Sequence, residues 1–169
     1  MESTLVNKVA ESGIITLNLE QFLPEEEAVS SFDIKPFLFR EMIVKEKDFR
    51  QMLSEHDWSQ YEGKHVAVFC SADAIIPMWA YMLIASYLQA YAAKVHSGSK
   101  ETVLRMLLLD AIENIDVDTY LDKRVVIKGC GDTVMPEAAY MSITQKLKPV
   151  VKSLMFGEPC STVPVYKKK

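Results

Sequence analysis

Short β-branched runs alternate with longer apolar stretches along this chain. Val66-Ala67-Val68-Phe69 and Val125-Val126-Ile127 are continuous and uncharged, which predicts strands buried on both faces. A turn of small and polar residues follows each, Cys70-Ser71-Ala72-Asp73 and Gly129-Cys130-Gly131-Asp132. Then a proline, Pro77 or Pro136, marks the first turn of a helix, expected over about 78–95 and 137–155. Upstream, Phe37 to Val44 predicts a strand and Lys47 to Glu55 a helix. Val103 to Leu107 and Leu108 to Asn114 predict the same pair in the second half. Gly13 to Leu19 predicts a further strand, and Leu23 to Ser31 an acidic loop or short helix.

The two halves also match residue by residue. Sliding the chain by 59 positions lays residues 54–84 on 113–143, and ten of the 31 pairs are identical, among them Asp57 with Asp116, Asp73 with Asp132, Pro77 with Pro136 and Tyr81 with Tyr140. A long period present twice predicts a duplicated supersecondary unit, with repeats at about 42–95 and 101–155. The expected fold is α/β, a single layered domain over 1–169 with a partly parallel sheet, because parallel strands need helical crossovers. Ligands of such sheets sit beyond the carboxyl ends of the strands, where both repeat turns fall.

Ala74 to Ala93 carries no formal charge over twenty residues, close to the length of a membrane span. Pro77, Ser86, Gln89 and three tyrosines dilute it, and the matching second segment carries Glu137, Lys146 and Lys148. A buried helix is the expectation, with no membrane partner.

Composition narrows the class without naming a reaction. The 169 residues carry 19 Lys and Arg against 23 Asp and Glu, a net charge of −4, so nucleic-acid binding is not expected. An odd count of three cysteines argues for a reducing compartment, and Met1 to Ala10 shows no export signal; the expected location is cytoplasmic.

Cys70 and Cys130 stand near helix starts, where thiolate is favoured over thiol. Cys160 lies in the Gly157-Glu158-Pro159-Cys160-Ser161 loop. Three thiolates, with Asp73 or Asp132 as a further oxygen ligand, would make a candidate site for iron, zinc or an iron–sulfur cluster. Their spacing fits no finger or ferredoxin motif, and a free cysteine is also a common small core residue. Likewise both aspartates suit turn and cap positions. His65 is placed at the far end of the strand that Cys70 closes, His96 beyond the following helix, and His56 in a surface loop. No Cys–His pair is therefore expected. Gly129 and Gly131 would let the backbone approach a ligand, with Lys128 completing an anion site. No nucleotide-binding motif is present.

Lys128-Gly129-Cys130-Gly131-Asp132 and the tail from Leu154 to Tyr166 resemble a family known as domain of unknown function 2480. Val9 to Leu17 and Ile76 to Met82 resemble it too, so the likeness covers nearly the whole chain. It implies a bacterial protein without supplying an activity. The neighbourhood of the family's genes implies iron–sulfur assembly proteins as partners.

Two functional readings follow from different classes. One is a soluble accessory protein of iron–sulfur metabolism that binds a metal ion or cluster, or accepts sulfur, through Cys70, Cys130 and Cys160. The other is an enzyme acting on a small anionic ligand held between the two repeat turns. A non-catalytic interaction domain, packing as a homo-oligomer, is the third.

Overall fold

The structure is a computed structural model that describes residues 13–129, 131–158 and 160–169. The chain is mixed α/β with parallel pairing, as expected, but its strands form two sheets rather than one. These belong to two compact units, one continuous over Pro24–Met106 and one built from the chain up to Leu23 together with Leu107–Lys169.

In the continuous unit, β2 (Val29–Asp33), β3 (His65–Phe69) and β4 (Lys94–Ser97) lie side by side in that order, all parallel. The uncharged run Val66-Ala67-Val68 forms the central strand and is buried, which is why it shows no alternation. Two helices make the crossovers, α1 (Glu46–Glu55) and α2 (Met78–Leu88). α1 turns Phe49 and Leu53 inward and pairs Glu46 with Arg50 at 2.9 Å on its wet side. α2 buries Ala80, Ile84 and Leu88, one turn apart, and leaves Met78 and Met82 exposed. Stacked rings of Phe32, Trp58 and Tyr87 fill the space beside the sheet.

The discontinuous unit repeats this plan and adds a strand. β1 (Ile14–Leu17), β5 (Arg124–Ile127) and β6 (Ser153–Glu158) are parallel, and β7 (Ser161–Lys167) returns antiparallel to β6. α4 (Glu137–Leu147) buries Ala139, Ile143 and Leu147, the positions that match the inner face of α2. Burying each of the two larger side chains contributes about 1.5–3 kcal/mol. Leu108 and Ile112 of α3 (Lys100–Glu113) join the same core, and the division between units falls within α3. Glu137 stands 59 positions after Met78 and Leu147 59 after Leu88, so the two helices share one length and spacing.

Several expected elements are corrected. The helices end at Leu88 and Leu147, and the residues expected to prolong them include β4 and β6, which the central strands need as parallel neighbours. Val103 to Leu107 lies inside α3, whose start is marked by Ser99 Oγ accepting the Thr102 N–H at 3.3 Å. Phe37 to Val44 is a 3-10 turn followed by a tight hairpin that pairs Phe39 with Ile43. Its turn residues Arg40 and Glu41 have φ of 51° and 57°. Leu23 to Ser31, expected as an acidic loop or short helix, runs at its end into β2, which begins at Val29. Among the described residues no helix is long and apolar enough to cross a membrane.

Candidate functional site

The expectation of a metal site is corrected. Among the described residues, no group of three or more His, Cys, Asp or Glu side chains could hold a metal ion. Cys70 lies in the continuous unit, packs against its core and donates its thiol to the Ala72 carbonyl at 3.6 Å. Cys160 is exposed in the other unit, and Cys130 lies outside the described residues. Asp73 and Asp132 are exposed turn residues, and no thiol joins either in such a group. The iron–sulfur reading loses its ligand set with that, because metal-site chemistry needs several donors on one centre.

His65 opens β3 and His96 follows α2, as expected, and His56 is the histidine whose placement differs. His65 and His96 sit on neighbouring strands, with His65 Nδ1 and His96 Nε2 3.0 Å apart. His56 is half-buried among Phe32, Phe37, Trp58 and Tyr61 rather than on the surface. That burial, opposed only weakly by Asp57, holds its imidazole below its ordinary pKa.

Both repeat turns lie at the carboxyl ends of strands, and at each a carboxylate of the chain accepts a backbone N–H. In the continuous unit, Asp33 Oδ1 at the end of β2 accepts the Ser71 and Lys35 N–H groups at 3.0 Å, and Oδ2 accepts the Ser71 hydroxyl. Burial alone would raise the Asp33 carboxyl, but these hydrogen bonds outweigh it and hold it low. In the discontinuous unit, Glu20 plays this part from the 3-10 turn Leu19–Phe22 that follows β1. Glu20 Oε1 accepts the Thr133 N–H at 2.7 Å and Oε2 accepts Asn18 Nδ2 at 3.0 Å. The Asn18 bond, then Thr133, then the Asp132 N–H and the charge of Lys128, hold Glu20 below the usual carboxylate range against a small cost of burial. A two-turn anion cradle built on free N–H groups is therefore corrected as well.

The same contacts explain the glycines. A Cβ on Gly131 would collide with Glu20 Oε1, and one on Gly129 would overlap the Phe156 ring. The close approach expected of a ligand is made by the protein's own side chains.

A cavity of about 370 Å³ does remain, beside Glu20 in the discontinuous unit. Its lining includes all three residues expected for an anion, Lys128, Gly129 and Gly131, with Thr133, Met135 and Tyr140. The volume lies in the range of small-ligand pockets. Lys128 makes no ion pair within 4.0 Å among the described residues, and its charge is felt at Glu20, which lines the same cavity. The Tyr140 ring, edge-on to Phe156 at 5.6 Å, helps to wall the site. At the end of β6, Glu158 Oε1 is buried with no hydrogen-bond partner among the described residues.

Glu20 and Asn18 were missed by sequence reasoning. Asn18 and Glu20 stand more than one hundred residues before Lys128, and only the parallel pairing of β1 with β5 brings them to it. The available signal was an Asn and a Glu just past an apolar run, at the place where a parallel strand ends.

No curated protein and no solved structure matches the chain. A family model does match, over residues 3–168 and under the description "Protein of unknown function (DUF2480)". With nearly the whole chain covered, the protein belongs to the DUF2480 family.

Proposed function

We propose that the discontinuous unit binds a small anionic metabolite in the cavity at the carboxyl ends of β1 and β5, with Lys128 as its counter-charge. The observation that carries this reading is the cavity itself, where Lys128 shares the lining with Thr133 and Tyr140. Neither of those hydroxyls makes a hydrogen bond among the described residues, so each can donate to an acceptor-rich ligand. The strand-end position fits the place where α/β sheets hold ligands. We place the protein in the cytoplasm, a reading that the free thiols of Cys70 and Cys160 support.

Thermal denaturation with inorganic phosphate, sulfate, acetate, succinate or citrate tests the proposal, with glycerol as a neutral control. At a ligand concentration of about 100 Kd, binding should stabilise the fold by roughly 2.7 kcal/mol. Lys128→Gln should weaken the response by about tenfold or more, the worth of a charge-assisted hydrogen bond. A protein that no anion stabilises, or a K128Q variant that responds as the wild type does, overturns the reading.

A further inference from the structure

Glu20 is bound as a ligand would be. Its carboxylate accepts the Thr133 N–H at 2.7 Å and lies so close over Gly131 that no Cβ fits beneath it. A main-chain donor beside a glycine makes a concavity for an anion whatever the side chains are. The occupant shows which anion the concavity takes, namely a carboxylate.

Glu20 is poorly anchored compared with its counterpart. Asp33 projects from the last position of a strand on a short side chain and holds both polar groups of Ser71. Glu20 projects from a 3-10 turn on a longer side chain and is only half-buried. Among the described residues, Asn18 is the one side chain that donates to it. The cavity opens next to it, and Lys128, which lines that cavity, is close enough for its charge to be felt at Glu20. A free carboxylate in the cavity would meet the same cation and lie beside the same N–H groups.

We propose that the Gly131–Thr133 turn is a carboxylate seat and that Glu20 is its tethered occupant, displaced when a carboxylate ligand enters the cavity. This rests on the anion-binding reading above and adds the ligand's class and a built-in threshold. A tethered competitor reduces apparent affinity by the fraction of time it holds the seat.

The experiment compares wild type and Glu20→Ala with acetate and succinate as probes, by calorimetric titration and thermal denaturation. Emptying the seat should lower stability, and acetate should restore it. Both carboxylates should bind Glu20→Ala about tenfold or more tightly than wild type, as removal of a competitor that holds the seat most of the time requires. In wild type, succinate should shift the Asp132 and Thr133 amide resonances and move the Glu20 carboxyl carbon towards its solvent-exposed position. Equal binding by the two proteins overturns the displacement while leaving the Lys128-dependent site standing. Weaker binding by Glu20→Ala overturns it too, and makes Glu20 a positioning residue. Should the variant fail to fold, the wild-type spectra decide: succinate bound with Thr133 and Glu20 unmoved refutes the exchange. No response to any anion by either protein removes both proposals.

Discussion

The Asp33 carboxylate receives two hydrogen bonds from one residue, Ser71, whose N–H lies 3.0 Å from Oδ1 and whose hydroxyl meets Oδ2. This ties the end of β2 to the turn after β3, residues 38 positions apart. Asp33→Ala leaves two backbone N–H groups without their acceptor and should cost about 1–3 kcal/mol in urea denaturation. Ser71→Ala removes only the hydroxyl bond and should cost about 1 kcal/mol. Because the folded Asp33 pKa is lowered, its contribution is present above the unfolded value near 3.8 and lost as pH falls through the folded one. Asp33→Asn should therefore flatten part of the acid-side loss of stability.

His56 gives the opposite residue type the same direction of pH dependence. Burial among aromatic rings lowers its folded pKa below 6.5, so the unfolded chain takes up the proton first. Stability should be unaffected by this group above that value, fall as pH drops from there to the folded pKa, and level off below it. Denaturation midpoints of wild type and His56→Gln between pH 7 and pH 5 should diverge in slope, the variant being the flatter. Parallel slopes would show that the imidazole titrates normally.

The hairpin at Phe39–Ile43 holds two consecutive non-glycine residues, Arg40 and Glu41, at positive φ. Side chains resist that conformation, whereas glycine adopts it freely. Glu41→Gly surrenders an exposed ion pair with Lys35 at 3.2 Å, worth little at a surface. The substitution should raise stability by about 0.5–1 kcal/mol once backbone entropy is counted. A loss of stability in chemical denaturation would mean that the exposed pair or the native turn outweighs the relief.

Gly157 has φ of +125° just before the β6–β7 hairpin, and a Cβ there would run into the Ser161 carbonyl oxygen. Here the obstacle is main chain and cannot swing aside. Gly157→Ala should destabilise by about 1–3 kcal/mol and loosen the Gly157–Thr162 pairing, seen as faster amide exchange along β7. A variant with wild-type exchange rates would mean that the hairpin can shift register without cost.

What the sequence made legible was set by how local each cause is. Val66 to Phe69 and Val125 to Ile127 read as buried strands because continuous β-branched runs have few other uses. Pro77 and Pro136 fixed the helix starts to within a residue, since proline fits only there. The stretch from Gln89 to Ala93 read as helix because no breaker stands in it; what ends α2 is the need of Lys94–Ser97 to pair with β3. Val103 to Leu107 misled for a similar reason, since an apolar run inside a helix has the composition of a strand. In the candidate site, Lys128, Gly129 and Gly131 were legible as a group because they are neighbours in sequence. Their partner Glu20 was not, because only strand pairing across the intervening unit brings it there.

The nesting of one unit inside the other sets an order of synthesis. β1 is made before β5, its only strand neighbour among the described residues, with Leu17 opposite Ile127. At roughly 5–20 residues per second, the ribosome needs about 5–20 s to add the residues between them. The continuous unit contains all three of its strands and can close its sheet during that wait. Glu20, three residues beyond β1, thus meets the Thr133 N–H only after the whole enclosed unit has been synthesised, and the cavity beside it takes shape later than the sheet of that unit.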